Sequence, residues 1–118
     1  MNRKLLGNQG EIKAIKFLRE KGYRVLDKNY RKRTGEIDII AFDPNFNEYV
    51  FIEAKTRRSL KFGYPEESVD ENKIRKLIET AENWLLENKK FDVEWRIDII
   101  SIEWENKTPQ IKHIQNIS

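Results

Sequence analysis

Cysteine is absent from the 118-residue chain. That excludes disulfides, zinc fingers, thiolate catalysis and iron–sulfur clusters together. Histidine occurs once, at His113, which leaves no histidine cluster for a metal and points to a structural or surface role for that ring. Proline and glycine are scarce, at three and five residues, and no low-complexity tract, linker or internal repeat interrupts the chain. No apolar run approaches the ~18–20 residues of a membrane span, and no signal-peptide core is present. The expectation is a cytoplasmic protein with no membrane association.

What is present suffices for one folded domain over residues 1–118. Leu, Ile, Val and Phe together number 33, enough for a modest core in a chain of this size. Charged residues make up 36%, against ~25% in an ordinary globular protein. The net charge of +3 hides a segregated pattern. Residues 1–34 carry 11 Lys and Arg against 3 Asp and Glu, residues 35–54 carry five acids and no base, and residues 55–62 carry four bases and no acid. Basic segments suit a polyanion such as nucleic acid. The acidic island between them suits a divalent cation better. Charges that pair off on a solvated surface would give the same blocks.

The local patterns give the order helix, three strands, helix, two strands, a mixed α/β domain. Ile12, Ala14, Ile15, Phe17 and Leu18 predict an amphipathic helix over residues 8–21, stopped by Gly22. Residues 23–30 read as a short strand and residues 31–35 as a basic loop ending in glycine. Residues 36–43 and 48–57 read as strands joined by a turn at residues 44–47. If Asp43 faces Glu48, opposed residue numbers sum to 91. Ile37, Ile39 and Ala41 then meet Ala54, Ile52 and Val50 on one face. Glu36, Asp38, Ile40 and Phe42 meet Lys55, Glu53, Phe51 and Tyr49 on the other. Ser68-Val69-Asp70-Glu71 fits a capping box for a helix ending near residue 87, with Trp84 on its apolar side. Residues 93–104 and 111–117 read as the last strands, joined by a turn at residues 106–109.

The hairpin carries the chemistry. Asp38 beside Glu53 is an unfavourable pair unless a cation bridges the carboxylates or one keeps its proton. An all-oxygen site with few protein ligands suits Mg²⁺, or Mn²⁺, which retains waters and binds substrate phosphates. Lys55, two residues beyond Glu53, reaches the same substrate and can orient a water or stabilise charge on a phosphate. These are the ingredients of metal-assisted phosphodiester hydrolysis. Ordinary exposed charges on a solvated strand would give the same spacing.

Asp38 followed by Glu53-Ala54-Lys55 resembles the PD-(D/E)xK signature of the restriction-endonuclease-like superfamily. A longer series includes Gly7, Gly10-Glu11, Ala14, Leu18 and Gly22-Tyr23. It continues through Asn29-Tyr30-Arg31, Gly35-Glu36-Ile37-Asp38, the segment from Phe51 to Arg57, Phe62-Gly63, Val69, Lys73 and Arg96-Ile97-Asp98. This series resembles the YraN-like family of small bacterial proteins, related in fold to archaeal Holliday junction resolvases. The resemblance implies a restriction-endonuclease-like core, a central mixed β-sheet flanked by helices, and an endonuclease acting on DNA, with branched or structured DNA as a candidate substrate. It implies that Asp38 and Glu53 bind the metal with the carbonyl of Ala54, that Lys55 is the catalytic lysine, and that Glu11 completes the metal shell. Ile37 stands where the superfamily name has proline, and Ala54 where the family usually has valine. Neither change removes a catalytic side chain.

Arg31, Arg33, Arg57, Arg58 and Lys73 flank the site and are candidate phosphate contacts, which position nucleic acid without reading its sequence. Glu36 is open between a bond to Lys55, an outer-shell role and a plain salt bridge. The small size favours a homodimer on a DNA junction. A nucleic-acid-binding module that keeps the fold with little or no cleavage is the alternative.

Overall fold

The computed structural model describes residues 3–57, 69–105 and 108–118. Helix α1 (Arg3–Glu20) leads into β1 (Arg24–Lys32), β2 (Gly35–Asp43) and β3 (Glu48–Arg57); α2 (Glu71–Glu87) is followed by β4 (Trp95–Glu105) and β5 (Thr108–Ile114). The element order is that read from the sequence. The five strands form one sheet in chain order. Every neighbouring pair is antiparallel except β3 with β4, which the α2 crossover makes parallel. Among the described residues no helix is long and apolar enough to cross a membrane.

One helix covers each face of the sheet. Ala14 and Leu18 of α1 pack on Ile39, Ala41, Val50, Ile52, Ile100 and Ile102. Leu77, Ala81, Trp84 and Leu85 of α2 pack on Ile37, Ile40, Phe51, Ile97 and Ile99. Strands buried on both sides carry apolar residues at consecutive positions, and the run 97–102 does so apart from Asp98 and Ser101. The buried stripe of α1 is Gly10, Ala14 and Leu18, spaced by four, whereas Ile12, expected on the apolar face, is 66% exposed. A Cβ on Gly10 would collide with Oγ1 of Thr56 and lie 3.1 Å from its Cβ and Cγ2, so only glycine lets α1 approach β3 this closely.

Several boundaries differ from the sequence reading. The basic loop at residues 31–35 is mostly strand: β1 runs to Lys32 and β2 starts at Gly35, leaving Arg33 and Thr34 as the turn. Cross-strand pairing outweighs the turn-like composition there. Helix α2 is capped by Asp70, whose carboxylate accepts the Lys73 backbone N–H at 2.8 Å. Ser68, Arg58, Phe62 and Gly63 lie outside the described residues. The last two strands are shifted by a few residues, and residues 106–107 of their predicted turn also lie outside.

The β2–β3 register agrees with the predicted sum of 91 from Asp43 with Glu48 as far as Ile39 with Ile52, and there the ladder ends. Ile37 packs with the α2 core while Ile39 packs with the α1 core, so the alternation of faces breaks at Asp38. The expectation that Ile37 shares a face with Ile39 is therefore corrected. Beyond this point, among the described residues, β2 pairs with β1 alone and β3 with β4 alone. The two central strands part at Asp38.

Candidate active site

The carboxylate cluster stands where β2 and β3 separate. Asp38 Oδ2 accepts the backbone N–H of Ala54 at 2.8 Å, a side-chain acceptor where the ladder has stopped. The carboxyl is therefore drawn inward rather than set side by side with Glu53 in the predicted ladder pair. Burial pushes its pKa up, the Glu53 carboxylate pushes it further, and Glu36 and Glu11 add to the rise; the Ala54 N–H pulls the other way. The outcome is a carboxyl raised to about 7 from an ordinary 3.8.

Glu53, 6% exposed, points to the α2 side of the sheet with Phe51. Its Oε1 lies 3.3 Å from Nζ of Lys55 and 3.5 Å from Nζ of Lys73, which the first turn of α2 supplies. Two ammonium groups therefore converge on one carboxylate oxygen, and both remain partly exposed. Position 73 is a poor place for a cation on helix-dipole grounds, because the N-terminus of a helix favours acids. Asp70 and Glu71 offset that there.

Glu11 comes from α1, on the opposite side of the sheet. Gly10 fixes the close helix–sheet approach just before it. Its Oε1 accepts from Nδ2 of Asn29 on β1 at 3.0 Å. Among the described residues no three acidic or histidine side chains stand close enough together, as arranged here, to hold a metal ion. The donor set is nevertheless all oxygen, the chemistry a hard divalent cation takes, with Asp38 held at the Ala54 N–H and Glu53 on the adjoining strand. Mg²⁺ keeps several waters and needs one or two direct carboxylates. Asp38 and Glu53 with the Ala54 carbonyl would serve as direct ligands, and Glu11 would hold a water of the shell.

The remaining candidates scatter. Arg31 is engaged with Glu36, its partner across the β1–β2 ladder, at 3.1 Å; of the three readings of Glu36 the structure contains the salt bridge. Arg33 is exposed in the turn and Arg57 ends β3. An open groove of about 550 Å³ between α1 and β1, lined by Ile12, Ile15, Lys16, Arg19, Glu20, Val25 and Lys28, includes none of the cluster.

The sequence reading missed two features. Asn29, noticed only within a tripeptide, holds Glu11. Arg96 and Asp98, noticed only as the end of the family series, centre a buried ionic network at the other end of the sheet. Arg96 lies 3.0 Å from Asp43, 3.3 Å from Glu48 and 3.1 Å from Asp98, and donates to the Tyr23 hydroxyl at 2.8 Å. Asp98 also accepts the Asn116 N–H at 2.8 Å and contacts Nε2 of His113 at 2.7 Å. His113 is thus structural, as expected. Charged residues at strand positions that must face a helix were the available signal.

The chain matches the uncharacterised protein family UPF0102 over residues 10–102. A UPF0102 protein of Persephonella marina is 46% identical over 110 residues, covering 93% of this chain and 90% of that protein. One from Caldicellulosiruptor saccharolyticus is 42% identical over 118 residues, covering 98% of each. Among solved structures, SfsA of Pyrococcus furiosus in complex with Ca²⁺ aligns with a TM-score of 0.38 and 14% identity over 98% of this chain and 64% of that one, too distant a likeness to bear on the fold or the site. On the family match and these relatives, which agree with the YraN-like series read from the sequence, the chain belongs to the UPF0102 family.

Proposed function

We propose that this protein is a divalent-metal-dependent endonuclease of the restriction-endonuclease-like type that hydrolyses DNA phosphodiester bonds, with branched or structured DNA as its substrate class. The observation that carries the reading is the meeting of Asp38, Glu53, Lys55 and Lys73 at the point where the central strands part. Mg²⁺ or Mn²⁺, when bound, supplies an acidified water and neutralises charge on the phosphate. Asp38 and Glu53 would hold that ion, and the bond from Ala54 N–H fixes the orientation of Asp38. Lys55 faces the phosphate: it orients the attacking water and offsets the negative charge that gathers as the new P–O bond forms and the bond to the leaving sugar oxygen breaks. Lys73 holds the phosphate from the α2 side. Arg33 in the β1–β2 turn and Arg57 at the end of β3 would contact flanking phosphates, and a homodimer in the cytoplasm would span more of a junction than one domain covers.

One observation favours a second reading, a nucleic-acid-binding module without cleavage. Glu53 is already satisfied by two lysines, so the carboxylate needs no metal to be buried. Cleavage of duplex, single-stranded and four-way-junction DNA with Mg²⁺ or Mn²⁺ separates the two. Wild type, Glu53→Ala and Lys55→Ala are compared after identical purification. Metal-dependent cutting lost in both variants is the expected result. Cutting unchanged in both overturns the site, and binding with no cutting selects the second reading.

A further inference from the structure

We infer that Asn29 is a positioning residue that holds Glu11 against the metal shell as an outer-sphere carboxylate; the inference rests on the metal-dependent reading above. Five non-glycine residues among those described have positive φ, and four of them lie in turns or irregular segments. Asn29, at φ 52°, is the one inside a strand. Asparagine tolerates this conformation better than most residues, yet it remains unfavourable for any residue with a Cβ. The ladder shows where that distortion is placed. Lys28 pairs with Ile39 and Tyr30 with Ile37, so Asn29 stands opposite Asp38. The same position is where β2 switches the faces of its side chains.

The left-handed residue sends its amide not into the sheet but to Glu11 Oε1, at 3.0 Å. That bond is exposed, where a hydrogen bond adds little net stability. A strained backbone is thus kept for a contact of small energetic value, at the residue facing the central carboxyl. The backbone just before Glu11 is held close to β3, where Gly10 lies against Thr56. Asn29 stands opposite Asp38 in the ladder, so the bond holds Glu11 beside the strand position of that carboxyl, although the described acids do not converge into a direct three-ligand cluster. A carboxylate in that position would accept a hydrogen bond from metal-bound water, and such supporting contacts commonly tune metal affinity about 10–100-fold.

Mn²⁺ binding, followed by electron paramagnetic resonance without DNA, tests this. The proteins are wild type, Glu53→Gln, Glu11→Gln, Asn29→Gly and the Glu11→Gln/Asn29→Gly double variant. Glycine keeps the left-handed backbone and removes only the amide. Asn29→Gly and Glu11→Gln should each weaken Mn²⁺ binding about tenfold, and the double variant no more than either alone. An Asn29→Gly affinity equal to wild type, with Glu53→Gln weakened, overturns the role of Asn29 and leaves the metal reading standing. Multiplication of the two losses overturns the coupling. If wild type binds Mn²⁺ no better than Glu53→Gln, the metal reading falls and this inference with it. Should Asn29→Gly fail to fold, the side-chain amide signal of Asn29 in wild type decides: Mg²⁺ must shift it, and must not shift it in Glu53→Gln. A bond that only fastened α1 to β1 would change the melting temperature and leave Mn²⁺ affinity untouched.

Discussion

Replacing Gly10 by alanine tests how closely α1 must approach β3. The added Cβ would overlap Oγ1 of Thr56 and sit 3.1 Å from both its Cβ and Cγ2. Rotating the threonine can turn its Oγ1 away but leaves its Cβ at 3.1 Å, so full relief requires α1 to withdraw by about 0.5 Å, given carbon contacts of ~3.5–4.0 Å. Overpacking of this kind costs ~1–3 kcal/mol, and the upper end applies because the neighbour is β-branched. Alanine returns about 1 kcal/mol of helix propensity. The net expectation is a loss of ~1–2 kcal/mol, or ~4–8 °C in Tm for a chain of this length. Thr56→Ala removes both offending branches. In the double variant Gly10→Ala/Thr56→Ala, most of that loss should therefore be recovered. Urea unfolding of the four proteins in the cycle measures the coupling, expected at ~1–2 kcal/mol. Costs that simply add within ~0.5 kcal/mol, or a Gly10→Ala protein more stable than wild type, would refute the close-approach argument.

The carboxyl of Asp38, raised to about 7 by burial and by Glu53, gives a pH prediction with a definite sign. A folded-state pKa above the unfolded value contributes stability that is complete below about pH 4 and is lost as pH rises through about 7. Asp38→Asn, a mimic of the protonated acid, should change Tm little at pH 4 and raise stability at pH 8 by on the order of 2–4 kcal/mol; a wild-type-to-variant difference that does not grow between these pH values would contradict it. Arg96→Met removes the cation facing Asp43 and Asp98 and should cost ~3–5 kcal/mol in urea unfolding, because buried carboxylates are left unpaired; a loss under ~1 kcal/mol would mean the network is dispensable. Under the proposed activity, Lys55→Ala should lower single-turnover cleavage by ~10²-fold or more and Lys73→Ala by ~10-fold. Equal losses would give Lys73 the same standing as Lys55.

The register of the hairpin was legible because two-residue alternation and a turn composition both pointed to it, and five residue pairs agree. Its ending was not legible. A ladder continued past Ile39 looks equally good as a pattern of apolar and polar letters. Whether Asp38 faces Glu53 or takes the Ala54 N–H depends on what β1 does on its other edge. Trp84 was read into the core from helical spacing and is 5% exposed there. Ile12 was read onto the buried face by the same spacing and is not, because Gly10, Ala14 and Leu18 form the stripe that α1 can bring closest to the sheet.

Local chemistry by itself determined the order of elements, the β2–β3 pairing and the identity of Asp38, Glu53 and Lys55 as residues bound to share a neighbourhood, since strand periodicity and a short turn act over a few residues. The tertiary structure decided which distant groups join them. Lys73 reaches Glu53 because the α2 crossover returns along one face, and Glu11 meets Asn29 of β1 because α1 closes on the other through Gly10. It also decided that Arg96 gathers Asp43, Glu48 and Asp98 from three different strands at the far end of the sheet. Contacts between residues dozens of positions apart depend on how layers pack and where strands part, and those are properties of the assembled sheet rather than of any segment within it.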